Sequence, residues 1–171
     1  MGGEFGQWSE WNHEQSLDWH LLQYDHHQGI QNWVKDLNHV YQKELALHEQ
    51  DFGPDGFEWI EGNDWENTVI SFLRKSPLKD ERILVVCNFT PVPRYHYKIG
   101  VPRDGSWREL LNSDEKIYGG SGLGNQGGVK ADSSACHGKK YSLTLTLPPL
   151  GVFFLKNEQN LIVEGSFIND V

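Results

Sequence analysis

The sequence predicts a mainly β protein, an antiparallel β-sandwich over residues 51–156 preceded by one helix and a long aromatic loop. Three observations carry that prediction. A nearly continuous apolar run, Arg82 to Phe89, closes on Asn88-Phe89-Thr90-Pro91. Short alternating segments flank it on both sides. Residues 1–50 keep neither pattern and hold a single apolar stripe at three- and four-residue steps. Residues 157–171 form a tail in which Leu161, Ile162 and Val163 support no firm assignment.

Ile83, Leu84, Val85, Val86, Cys87 and Phe89 read as a central strand buried on both faces. The run falls well short of the roughly 20 apolar residues of a membrane span. Pro91 and Pro93 stop it, because neither can donate to a ladder. Ahead of it, Phe57–Glu61 and Thr68–Arg74 read as strands joined by a hairpin-like turn. After it come Tyr95–Ile99, Trp107–Leu111, Lys140–Leu147 and Gly151–Lys156. The strand at 140–147 alternates Tyr141, Leu143, Leu145 and Leu147 against Ser142, Thr144 and Thr146, the pattern of a half-buried strand. Several strands at such spacing favour a sandwich.

The helix is expected from His26 to about Glu44, with Ile30, Trp33, Val34, Leu37, Val40, Tyr41 and Leu45 on one stripe. At about 1.5–3 kcal/mol per large buried side chain, the stripe represents about 10 kcal/mol in search of a partner surface. Left exposed, that face would promote self-association. Met1–Leu22 crowds Trp8, Trp11 and Trp19 among Glu4, Glu10, Glu14 and Asp18, and it has the look of a loop whose supporting strand lies elsewhere. Two readings stand. Aromatic faces among carboxylates and amides suit stacking on sugar rings, and the same residues could anchor a long loop onto its own domain.

Between residues 112 and 139, Gly122-Leu123-Gly124-Asn125-Gln126-Gly127 formally matches dinucleotide-binding spacing. That fingerprint works only between a buried strand and a helix start. Here Glu115 and Lys116 precede it and no helical period follows, so a flexible surface loop is expected. Eight histidines offer no metal-ligand spacing. His26 and His27 are adjacent, and neither Cys87 nor Cys136 sits at zinc spacing. Cys87 is expected buried and inert, and no G-x-S-x-G elbow is present. The residues imply neither cofactor nor metal.

A formal charge of −9 over 171 residues disfavours nucleic acid and anionic membranes, both of which need basic patches. A neutral polyol is indifferent to that charge. Seven Trp, six Tyr and eight Phe can fill a core. Two cysteines do not make a disulfide framework, and the N-terminus lacks the basic and apolar regions of a signal peptide, so a cytoplasmic protein is expected.

Taken in order, GGEFGQWSEWNHEQSLDWHLL, HQGIQNWVKDLN, ALHEQDF, GFEWIEGND, VVCNFTPVPR, WRELLNSD, YGGSGLGN and LTLPPL resemble the C-terminal part of bacterial 1,4-α-glucan branching enzymes of the α-amylase superfamily. The resemblance covers essentially residues 1–156. It implies a (β/α)₈ catalytic barrel followed by an all-β domain. Met1–Phe5 would be the exit of the eighth barrel strand, Gln7–Asp25 the loop over the active-site face, and His26–Glu44 the eighth barrel helix. Such enzymes cut an α-1,4 link and transfer the chain to a 6-hydroxyl, using an Asp nucleophile, a Glu acid/base and a second Asp. The resemblance places all three before Met1, so no catalytic residue is assigned here and the chain alone is expected to be inactive. Glu4, Gln7, Trp8, Trp11 and Asn12 are the expected substrate-binding residues. The implied partners are α-glucan, bound weakly, and the barrel portion of the same enzyme. Two departures stand out: Glu14, where the family more often has Asp, and Lys43-Glu44-Leu45, where relatives often have Pro and a longer helix is expected here. The alternative is a free-standing, non-catalytic glucan-binding or scaffold module.

Overall fold

The computed structural model describes residues 1–78 and 80–158. Among them, one α-helix, α1 (Asp25–Lys43), precedes β1 (Phe57–Asp64), β2 (Val69–Ser76), β3 (Glu81–Asn88), β4 (Arg94–Val101), β5 (Ser106–Asn112), β6 (Gly128–Lys130), β7 (Tyr141–Leu147) and β8 (Val152–Asn157). Six strands pair in the order β1-β2-β3-β8-β5-β6, while β4 and β7 make a second, two-stranded sheet. Every pairing is antiparallel. The apolar part of the tail, Leu161–Val163, lies outside the described residues.

β3 is apolar on both faces because each face meets a different layer. Leu84 and Val86 join Leu143, Leu145, Phe153 and Leu155 in the core between the sheets. Ile83 and Val85 turn the other way, onto Ala46 and Leu47, with Val40, Phe72 and Phe154 alongside. Cys87 belongs to this outer layer and is half-buried rather than fully buried. Burial pushes its thiol up to about 11, leaving it a weak nucleophile.

Three expectations need adjustment. The central strand stops at Asn88, whose side-chain amide donates to the Val92 and Pro148 carbonyls at 2.9 Å each, so Phe89 turns out 56% exposed. The helix runs no further than Lys43. Glu44 is extended and buried, with its carboxylate 2.5 Å from the Lys156 ammonium. β6 lies within the segment expected as a loop, since Gly128-Val129-Lys130 is too short to show a period, yet it pairs with Ser106–Arg108.

The helix stripe is divided between two surfaces. Val40 packs on the outer layer of the sandwich, and Trp33 meets the Tyr118 ring edge-on at 5.2 Å. Ile30 and Tyr41 remain 38% and 45% exposed. The face free to promote self-association is therefore narrower than the stripe implies, because the sandwich covers part of it.

The glycine-rich segment lies at the surface and is followed by the strand β6, not by a helix. It is fastened rather than loose. The Asp114 carboxylate accepts hydrogen bonds from the Ser121 hydroxyl at 2.5 Å and from the Ser121 and Leu123 amides at 3.0 Å.

The segment just after α1 also belongs to the sandwich's outer layer. Ala46 and Leu47 are 0% and 6% exposed, the Ser76 hydroxyl donates to Glu49, and Arg74 pairs with Asp51 at 2.5 Å. This packing seats residues 44–51 on the sandwich. Residues 44–158 are expected to melt cooperatively. Residues 52–158 should be less stable by at least about 2 kcal/mol, the scale of one buried Leu. Urea denaturation of the two pieces checks this, and equal midpoints would show that 44–51 contributes nothing.

Candidate functional site

The aromatic loop is built on a 3-10 turn at Gly3–Phe5 and a second at Trp19–Gln23. Phe5 is 1% exposed and stacks on Trp19 with ring centroids 5.3 Å apart, so the two turns are clasped through their aromatic rings. Gly6 then takes a left-handed conformation at φ +65 that admits glycine without strain, and the chain reverses into Gln7.

Gln7 is a brace. Its side-chain nitrogen donates to the Ser9 carbonyl at 2.8 Å, and its oxygen accepts from the Asp18 amide at 3.2 Å, tying the two limbs of the loop together. Trp8 leaves 75% of its surface open while its ring sits edge-on to His27 at 5.5 Å. Trp11 is 51% exposed and lies beside His13. The Asn12 side chain accepts from the Glu14 amide at 3.0 Å, which shapes a local turn. That bond uses the Glu14 backbone, so the Glu-for-Asp departure leaves it unaffected. Glu4 stands apart from these. It lines a shallow cleft of about 400 Å³ along α1 with Val34, Lys35 and Asn38. The structure thus places Gln7 and Trp8 at the fastened base, Trp11 and Asn12 on the exposed turn, and Glu4 on a separate face.

His27 has a structural role that the sequence analysis does not anticipate. It is 8% exposed, and its Nδ1 lies 2.8 Å from the Phe5 carbonyl. A carbonyl can only accept, so Nδ1 carries the hydrogen. A signal was present, because His27, Ile30, Val34, Leu37 and Tyr41 continue one helical stripe by a further turn toward the N-terminus. A polar residue at a stripe position implies a hydrogen-bond partner beneath the helix.

Chemically, the arrangement offers the open aromatic faces of Trp8 and Trp11 beside the side-chain amides of Gln7 and Asn12. Among the described residues no cluster of three or more His, Cys, Asp and Glu could hold a metal ion, and no helix is long and apolar enough to cross a membrane. Cys87 and Cys136 are both free.

The family model described as "Alpha amylase, C-terminal all-beta domain" matches residues 59–158, more than half of the chain. A 1,4-alpha-glucan branching enzyme GlgB of Aquifex aeolicus is 65% identical over 158 residues, 92% of this chain and 25% of that protein. The Pseudomonas putida enzyme of the same name is 57% identical over 156 residues, 91% of this chain and 21% of its own. The one from Thermosynechococcus vestitus is 52% identical over 163 residues, 95% and 21% respectively. These matches run far beyond the 59–158 span and take in residues before it. The chain spans between about a fifth and a quarter of the length of these relatives. It belongs to the family of alpha-amylase C-terminal all-beta domains, and it corresponds to the C-terminal portion of a protein like the 1,4-alpha-glucan branching enzymes.

Proposed function

We propose that this chain serves α-1,6 branch formation in α-glucans as the C-terminal part of a branching enzyme. In that role it makes and breaks no glycosidic bond itself. It holds an aromatic, glucan-facing loop in place at the end of α1. The observation that carries the proposal is the 65% identity to the Aquifex aeolicus branching enzyme over 92% of this chain. The open rings of Trp8 and Trp11 on a loop clasped at its base by Phe5, Gln7 and Trp19 support a sugar-stacking role. Gln7 acts as the brace of that surface, and Asn12 sets its turn.

Retaining transfer needs two carboxyl groups about 5–5.5 Å apart across the scissile bond, held on rigid elements. Glu10 is exposed on the loop, and Glu4 lines a different cleft. Neither is supported as half of such a pair. Incubation of the purified chain with amylose, followed by debranching and chain-length analysis, is expected to yield no new α-1,6 links. Maltoheptaose should quench tryptophan fluorescence weakly, and Trp8→Ala with Trp11→Ala should abolish the effect. New branches that vanish in Glu4→Gln or Glu10→Gln would overturn the proposal by placing the chemistry within these residues.

A further inference from the structure

We infer that His27 is a positioning residue for the aromatic loop, and that the all-β domain holds it in place from the far side of α1 through Tyr118. The inference deepens the glucan-facing role proposed above and rests on that role for its bearing on substrate. Its structural content stands on the contacts of the first turns of α1.

Those turns are gripped on two sides. On one side His27, nearly fully buried, donates to the Phe5 carbonyl at 2.8 Å, while the Trp8 and Tyr24 rings lie 5.5 and 6.3 Å from its own. On the other side Gly29 touches the loop after β5 so closely that a Cβ there would lie 2.5 Å from the Tyr118 carbonyl oxygen. The Tyr118 ring packs edge-on against Trp33, and its hydroxyl donates to Asp36 at 2.8 Å. An α-helix turns about 100° per residue, so Gly29 and Asp36 sit about half a turn around the axis from His27. At its N-terminal end α1 thus stands between the aromatic loop on one face and the Tyr118 loop of the β domain on the other.

Glycine at position 29 is what allows the close approach. Any side chain would push Tyr118 and its loop outward, and that loop is anchored by the Asp114 hydrogen bonds to Ser121 and Leu123. The helix must then shift, or the loop must give way. Either change alters where His27 presents its donor to Phe5, and with it the platform on which Trp8 rests. The β domain thereby fixes the pose of residues with which Tyr118 has no direct hydrogen bond or ring contact.

Hydrogen exchange on the full 171-residue chain tests this. His27→Ala should raise exchange at residues 3–8 by about tenfold, the scale of one lost hydrogen bond, with β3 unchanged. His27→Asn, whose side-chain amide can donate from near the Nδ1 position, should restore part of the protection. Tyr118→Ala should raise exchange at residues 3–8 as well, at a distance. If Tyr118→Ala unfolds α1, Tyr118→Phe gives the same comparison at smaller amplitude, since it removes only the bond to Asp36. Unchanged exchange at residues 3–8 in the Tyr118 variants, with loosening confined to residues 112–124, would overturn the inference. So would unchanged exchange in His27→Ala. Maltoheptaose titration of the wild-type chain separates the two proposals. Absence of binding alongside the expected exchange pattern removes the glucan assignment and upholds the positioning role.

Discussion

Replacing Lys156 by Met is expected to destabilise the chain by about 3 kcal/mol, because it strips the cation from a buried carboxylate. Glu44 is 3% exposed, and its Oε2 lies 2.5 Å from the Lys156 ammonium, which also pairs with Glu81 at 3.2 Å. Burial alone would lower the pKa of Lys156. The hydrogen bonds to Glu44 and Glu81 outweigh it and hold the pKa above its ordinary value. The stabilisation carried by the Lys156 ammonium is therefore complete at neutral pH and is lost in strongly alkaline solution, as pH rises through the raised pKa. The triad joins the residue that ends α1 to β3 and β8, so its loss should also free the end of the helix from the sheet. A double variant, Lys156→Met with Glu44→Gln, should recover part of the deficit, since the amide removes the buried charge at position 44 while Glu81 still loses its cation. Urea denaturation at neutral pH checks both, and a deficit below about 1 kcal/mol in the single variant would mean that water reaches Glu44 freely.

This triad shows where sequence reading stops. β3 was legible because Ile83, Leu84, Val85 and Val86 are apolar without interruption, and only burial on both faces explains such a run. β7 was legible from its clean alternation. Such signals live within one segment. The contacts that position the candidate site do not. Glu44 and Lys156 are more than a hundred residues apart, and Tyr118 reaches back across the chain to Asp36. A lone Glu after a helix and a lone Lys in a strand each read as solvated charges until the fold brings them together. Glu4, Gln7, Trp8, Trp11 and Asn12 stand out by residue type and by resemblance, but nothing in their order shows that Glu4 faces along α1 while Trp8 rests on His27. The helix showed the same limit. Its stripe was plain, but how much of it the sandwich covers depended on Val40 and Trp33 finding partners in distant segments.

Trp107→Ala should be about as damaging, at about 3–5 kcal/mol, the range for truncating a buried aromatic side chain. Trp107 is 0% exposed and is the largest fully buried side chain among the described residues. It sits in β5 within the core between the sheets, opposite Val129 of β6 and Asn157 of β8, and its indole N–H donates to the Arg103 carbonyl at 3.3 Å. Alanine would leave a void that neighbouring strands can close only by breaking register, and it would strand that carbonyl without its donor. Trp107→Phe keeps most of the volume and should lose a smaller amount, mainly the hydrogen bond. The position also matters beyond stability. β5 runs into Asn112 and then into the loop that carries Asp114 and Tyr118 to α1. Loosening β5 should therefore raise hydrogen exchange at residues 112–124 before global unfolding sets in, a local opening that precedes the cooperative one. Denaturation midpoints together with exchange rates measure both effects. Wild-type-like stability in Trp107→Ala would show that the core can collapse around the missing ring, and that β5 does not depend on it.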